Sequence, residues 1–187
     1  EKYESWEPKF NFSLLPVKLK KGKNDFLFYI TRGRLKVVLH EPESEILLNV
    51  KDHTLPDLLV GEAMDSWGSI VVINAGPKAQ KNLTISTSGV GIQETKYPLP
   101  IIQPFSIRKV AFKIKVGPQS SKGNHDIRLE LHDSDVPFAN ALAASTISLR
   151  VLEPGSTYKR TFRSTIDKSV QYFAVNPVRG KINIKAP

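Results

Sequence analysis

Val110-Ala-Phe-Lys-Ile-Lys-Val116 decides how this chain folds. In an extended conformation Val110, Phe112, Ile114 and Val116 fall on one side of the run, and Lys113 and Lys115 on the other. A period of two, with one dry side and one charged side, marks a strand that buries a single face. The same alternation returns twice. Ile127, Leu129 and Leu131 oppose Arg128 and Glu130, and Ile147, Leu149 and Val151 oppose Ser148 and Arg150. Upstream, Trp67-Gly-Ser-Ile-Val-Val-Ile-Asn74 carries β-branched side chains on both alternating sets from Ile70 to Ile73, so it reads as a strand buried on both faces. Ala75-Gly-Pro-Lys78 turns it, and Leu83-Thr-Ile-Ser-Thr87 follows. Proline lacks the ladder donor, so Tyr97-Pro-Leu-Pro100 and Gln103-Pro104 read as a connection or an edge. No long stretch keeps helical period; Phe138 to Ala144 has room for a single turn. Roughly seven short strands in about a hundred residues, separated by Gly/Pro turns, predict an all-β fold with an immunoglobulin-like antiparallel β-sandwich at its centre.

Two joints set the expected boundaries. Glu41-Pro-Glu-Ser-Glu45 and Glu153-Pro-Gly-Ser156 are turn-rich and polar. They divide the chain into residues 1–46, 47–153 and 154–187. The first part alternates through Phe10 to Leu14, Pro16 to Gly22, Asp25 to Ile30 and Leu35 to Leu39, which predicts extra N-terminal strands. Its Leu-Lys-Lys-Gly-Lys-Asn-Asp-Phe-Leu-Phe run resembles the closing strands of jelly-roll modules found beside secreted hydrolases, and about forty residues make only a partial jelly roll. The last part predicts a C-terminal hairpin, Thr161 to Pro177, turning at Asp167-Lys168-Ser169. In its second arm Val170, Tyr172 and Ala174 point one way, and Phe173 and Val175 the other. A strand apolar on both faces requires cover on both sides. That cover is expected from a domain beyond residue 187.

The composition sets outer bounds. The chain has 187 residues, 40% of them hydrophobic and 24% charged, which is ordinary for a protein with a packed core. No apolar run approaches the ~20 residues that span a bilayer, so no transmembrane segment is expected. A start at Glu1 with no leader fits a mature secreted or periplasmic protein or a trimmed chain. There is no cysteine, hence no disulfide and no thiolate metal site. The formal charge of +9 raises nucleic acid as a partner. Only Lys18, Lys20, Lys21 and Lys23 form a dense basic run, however, and no nucleic-acid fold signature accompanies it. A solvated basic exterior is the better reading.

Candidate chemistry is sparse. His132-Asp133-Ser134 holds triad residue types, but neighbours in sequence do not converge as a triad must. The Gly-x-Ser-x-Gly elbow is missing, so no catalytic residue is assigned and this segment reads as non-enzymatic. His125, Asp126, His132, Asp133 and Asp135 are the residues nearest to a metal set. An odd spacing sends the two histidines to opposite faces of a strand, and the twelve-residue calcium loop is absent, so no metal is assigned. Gly89-Val-Gly91 lacks the third glycine and the helix of a phosphate loop, and no cofactor is expected. Trp6, Trp67 and Tyr97 are the aromatic candidates for stacking on a sugar. Trp67 opens a buried strand and is expected in the core, while Trp6 and Tyr97 lie in turn-rich stretches and are expected at the surface.

A resemblance goes further. Phe162, Ser164, Ile166, Asp167, Ser169, Val170, Gln171, Tyr172, Ala174, Val175 and Pro177 match the opening hairpin of secreted bacterial α/β-hydrolase esterases, the group near polyhydroxybutyrate depolymerases, feruloyl esterases and prolyl-oligopeptidase-like hydrolases. Lys168 stands where that pattern has glycine, and Phe173 where it has a second tyrosine. A lysine at positive φ is strained, so a different turn type is expected. Thr54 to Leu58, Trp67 to Ala75, Pro98 to Pro100 and Arg108 to Phe112 are similar to the sandwich that precedes such hydrolases. The resemblance implies a non-catalytic accessory region whose partner is the C-terminal α/β-hydrolase domain of the same chain. It implies that oxyanion hole, serine, acid and histidine all lie past Pro187. A stand-alone carbohydrate- or surface-binding module, with polysaccharide gripped by Trp6 and Tyr97, is the alternative.

Overall fold

The alternating runs find partners in two packed sheets. The structure, a computed structural model, describes residues 13–31, 35–136 and 140–177. In the first sheet β3 (Met64–Asn74) and β7 (Ser106–Val116) pair antiparallel along their whole length, from Met64 opposite Val116 to Asn74 opposite Ser106. β1 (Ile46–Thr54) lies on the other side of β3, and β5 (Ile92–Gln93) on the other side of β7. The second sheet runs β2 (Leu58–Leu59), β9 (Ala143–Leu152), β8 (Gly123–Asp133), β4 (Leu83–Ser88), β6 (Thr95–Pro98). Every pairing is antiparallel except the short parallel contact of β2 with β9. The all-β, immunoglobulin-like sandwich expected from the sequence is present, and every named element is a strand.

Period two translates directly into packing. Val110, Phe112, Ile114 and Val116 of β7 are buried, as are Ile127, Leu129 and Leu131 of β8 and Ile147, Leu149 and Val151 of β9. With Ile70, Val72, Leu83 and Ile85 they form one contiguous core. Ile70 to Ile73 are all buried, so β3 is covered on both sides as its composition predicts. Gly68 is required at one point in this core. A Cβ there would stand 2.6 Å from the Phe112 ring and 2.8 Å from Ile114 Cδ1.

Four local expectations are met differently. The strands predicted before residue 41 do not form among the described residues, where 13–31 and 35–40 carry no ladder. Leu15, Leu27, Phe28, Tyr29 and Val38 are exposed there. Alternation makes a strand only where a neighbour accepts its N–H and C=O groups; Phe10 to Phe12 and residues 32–34 lie outside the described residues. Trp67 is half-buried on the outward side of β3 rather than in the core, because the inward positions of that strand are Met64, Ser66, Gly68, Ile70 and Val72. Tyr97, expected at the surface in a turn-rich stretch, is a half-buried strand residue of β6. Of the turn allowed at Phe138 to Ala144, Phe138 and residue 139 lie outside the described residues, and Ala143 and Ala144 open β9.

Candidate functional site

β1 pairs with β3 only along Ser69 to Asn74, so the edge of β3 from Met64 to Gly68 is open to another element. The C-terminal hairpin takes that place. β10 (Tyr158–Arg163) and β11 (Val170–Val175) pair antiparallel from Tyr158 opposite Val175 to Arg163 opposite Val170. The connection closes with Ser164 N–H donating to Ser169 O at 2.8 Å. Ser164 Oγ accepts from Ile166 N–H at 3.2 Å, and Asp167 accepts from the Ser169 N–H at 3.1 Å and hydroxyl at 2.8 Å. The nearby Ser164 hydroxyl first, and then the two Ser169 bonds, hold the Asp167 carboxyl below its usual range. Lys168 sits at φ 62°, so the lysine does occupy the left-handed position, in a longer loop than a two-residue turn. The side-chain bonds of Ser164 and Asp167 fix that conformation in place of the glycine's freedom.

Sequence-distant polar groups fasten the hairpin to the sandwich. Asp57 is 1% exposed. Its carboxylate accepts two bonds from Arg150 of β9, from Nε at 2.9 Å and Nη2 at 2.8 Å, and a third from Lys159 N–H at 2.8 Å. Asp57 N–H returns a bond to Lys159 O at 2.9 Å. A bidentate guanidinium–carboxylate pair is both strong and directional, and the Asp57 bonds push the Arg150 pKa further up. Next along β10, Thr161 Oγ1 donates to Trp67 O at 2.5 Å and stands 2.9 Å from Ser66 Oγ. Arg160 pairs with Glu62 at 2.9 Å.

Arg163, at the end of β10, completes an aromatic cluster. Trp67 and Tyr97 meet edge-on with ring centroids 5.2 Å apart. The Arg163 guanidinium lies 5.1 Å from the Trp67 ring centre and 5.5 Å from that of Tyr97, and its Nη1 donates to the Tyr97 hydroxyl. Lys113 stands over Trp67 at 4.5 Å. Lys113 also bonds Asp65 at 2.8 Å, and this contact, more than any other, holds the Asp65 carboxyl below its ordinary value. The Tyr97 ring thus already has Trp67 and Arg163 as partners, and Trp6 lies outside the described residues.

Exposed aromatics lie on both faces of the hairpin, Tyr172 on the face of Thr161 and Val170, and Phe162 with Phe173 on the opposite face. In β11 only Val170 is buried. Tyr172 is 62% exposed, Phe173 50% and Phe162 47%. Phe162 and Phe173 face each other diagonally across the two strands with ring centroids 6.2 Å apart. Clustered aromatics left in water are the usual signature of a surface that meets something else.

His132 and the aspartates weighed as metal ligands make separate local contacts, while the buried His125 Nε2 has no hydrogen-bond partner within the protein. His132 Nε2 is 3.5 Å from Glu130, whose carboxyl Arg128 holds below its usual range. Asp133 accepts from Asp135 N–H at 2.9 Å, and Asp135 from Asn82 at 2.7 Å. Among the described residues no group of three or more such side chains is arranged to hold a metal ion. Sequence reading missed the Asp57–Arg150–Lys159 set because its members come from three distant segments. The available signal was a carboxylate embedded in Leu55-Pro-Asp-Leu-Leu59, where an acid is kept only if it has partners.

No family model matches the chain, and no curated protein does. Solved structures match parts of the chain at low identity. A CARDB domain of the PF1109 protein from Pyrococcus furiosus, solved with di-metal ions, is 12% identical over 57% of this chain and 85% of that one, at a TM-score of 0.36. Salmonella α-2-macroglobulin is 16% identical over 63% of this chain at a TM-score of 0.39. The match spans 8% of that much longer protein. The ASH/PapD-like domain 7 of human CEP192 is 12% identical over 67% of this chain and 96% of that domain, at a TM-score of 0.30.

Proposed function

We propose that this chain is a non-catalytic accessory region of a secreted bacterial serine esterase, in which the sandwich carries the first hairpin of the α/β-hydrolase domain and shapes access to its cleft. The observation that carries the reading is the two-sidedness of the hairpin. Ser66 and Trp67 hold the face that carries Thr161, and Asp57 holds the Lys159 backbone, while Phe162 and Phe173 are exposed on the opposite face. An apolar strand exposed in this way is suited to burial inside a neighbouring domain, and the proposed class of that domain rests on the resemblance of residues 162–177 to the opening hairpin of esterases. The sandwich would then act as a rigid bracket for the hydrolase, with the nucleophile, acid and histidine all on the hydrolase side. A secreted or periplasmic location is part of the same proposal.

The test is calorimetric. The chain joined to the domain that follows it in its gene should melt in one transition above the Tm of residues 1–187 alone. Phe162→Ser with Phe173→Ser in the joined protein should split that transition. Independent melting of the two parts, or a reading frame without an α/β-hydrolase after residue 187, would refute the proposal.

A further inference from the structure

A cavity of about 230 Å³ lies between the hairpin loop and the outward face of the first sheet. Thr54 of β1, Ser69 of β3 and Lys109 of β7 line it from the sheet, and Lys168, Ser169 and Gln171 line it from the hairpin. Two features mark it as more than a packing gap. Ser69 is 2% exposed, yet its Oγ finds no hydrogen-bond partner within the protein. A buried hydroxyl without a partner costs about 1–3 kcal/mol and is kept where something else completes it. The lining is also one-signed: it holds two lysines and no carboxylate. Lys109 is partly neutralised by Asp52 at 2.6 Å. Lys168 Nζ donates to Thr165 O at 2.8 Å, an uncharged acceptor, so its charge is uncompensated by that bond. Asp167, the nearest acid in the loop, turns its carboxylate to Ser169.

Size narrows the ligand. A pocket for a drug-sized molecule is ≈ 300 Å³ or more, whereas one water takes about 30 Å³. This cavity is too small for a polymer chain and too large for a single ordered water. A small oxyanion fits both its volume and its donors: hydroxyls from Thr54 and Ser69, the Gln171 amide N–H not given to Ser169 Oγ, and ammonium groups from Lys109 and Lys168. We infer that the cavity beneath the hairpin loop binds a small oxyanion of the phosphate or phosphomonoester type, with Ser69 Oγ as its buried donor and Lys168 as its principal counter-charge. Because its walls come from both the sheet and the hairpin, an anion bound there ties the two together. The site involves only this chain's residues and does not rest on the proposed accessory role.

Thermal melting of residues 1–187 in inorganic phosphate, against sodium chloride at matched ionic strength, tests it. Phosphate should raise Tm saturably, by ~5 °C or more at a hundredfold excess over Kd. Glycerol phosphate and acetate arms separate a phosphomonoester from a free phosphate or a carboxylate as the preferred form. Ser69→Ala and Lys168→Gln should each weaken the phosphate response at least tenfold, and Ser69→Ala should melt no lower than wild type without anion. An equal rise in chloride, or an undiminished phosphate response in both variants, would overturn the inference. So would a Ser69→Ala protein that melts well below wild type in the absence of anion and still responds to phosphate; its hydroxyl would then serve ordered water.

Discussion

Replacing Asp57 by alanine removes the buried carboxylate that joins β9 to β10, and its cost can be worked from the partners it leaves. The two bonds from Arg150 return to a side chain that is 57% exposed. Water rehydrates that guanidinium, so the pair contributes no more than about 1 kcal/mol. The bond from Lys159 N–H is worth more, because a backbone donor at a partly buried position loses a charged acceptor, about 1.5–3 kcal/mol. Relief of the carboxylate's own desolvation offsets part of this. The net loss is about 2–3 kcal/mol, concentrated at the hairpin. Urea denaturation should show a lower midpoint with an unchanged slope. Amide hydrogen exchange at Lys159 should accelerate by about 30- to 150-fold, since each 1.4 kcal/mol is tenfold. A stability change below about 0.5 kcal/mol together with unchanged exchange at Lys159 would refute the idea that the hairpin hangs on Asp57. Exchange that rises equally throughout the sandwich core would refute it too, by making Asp57 a global rather than a local determinant.

Two further substitutions test the packing and the loop. Gly68→Ala places a methyl group 2.6 Å from the Phe112 ring and should cost about 1–3 kcal/mol, read as a drop in Tm; an unchanged Tm would mean that Phe112 can move aside freely. Lys168→Gly relieves a left-handed backbone at φ 62° and should stabilise the protein by up to about 1 kcal/mol while removing the response to phosphate. Destabilisation would mean that the Lys168 Nζ bond to Thr165 O outweighs the strain.

Local pattern alone was enough to read the sandwich. The inward sets of β7, β8 and β9 alternate with charged residues, and one wet face against one dry face leaves a strand no other way to lie. The uncovered faces of β11 were legible for the same reason: its apolar residues lie on both sides, and Tyr172 and Phe173 are exposed. Alternation misled in residues 13–31 and 35–40, where apolar and basic residues take turns without any neighbouring strand among the described residues to complete a ladder.

Trp67 and Tyr97 show where sequence reading ends. Their residue types suggested a core tryptophan and a free tyrosine. The register of β3 against β7 instead turned Trp67 outward, and the two rings meet each other and Arg163. Asp57, Arg150 and Lys159 lie about a hundred residues apart in part, and no periodicity relates them; only the open edge of β3, left by the short pairing of β1, brings the hairpin to them. The same holds for the cavity around Ser69, whose walls belong to four strands and a loop. Strand identity and burial depend on side-chain alternation within a few residues, which a sequence displays. Which charged and aromatic groups meet depends on register and on how two sheets and a hairpin pack, and those are decided by the whole chain at once.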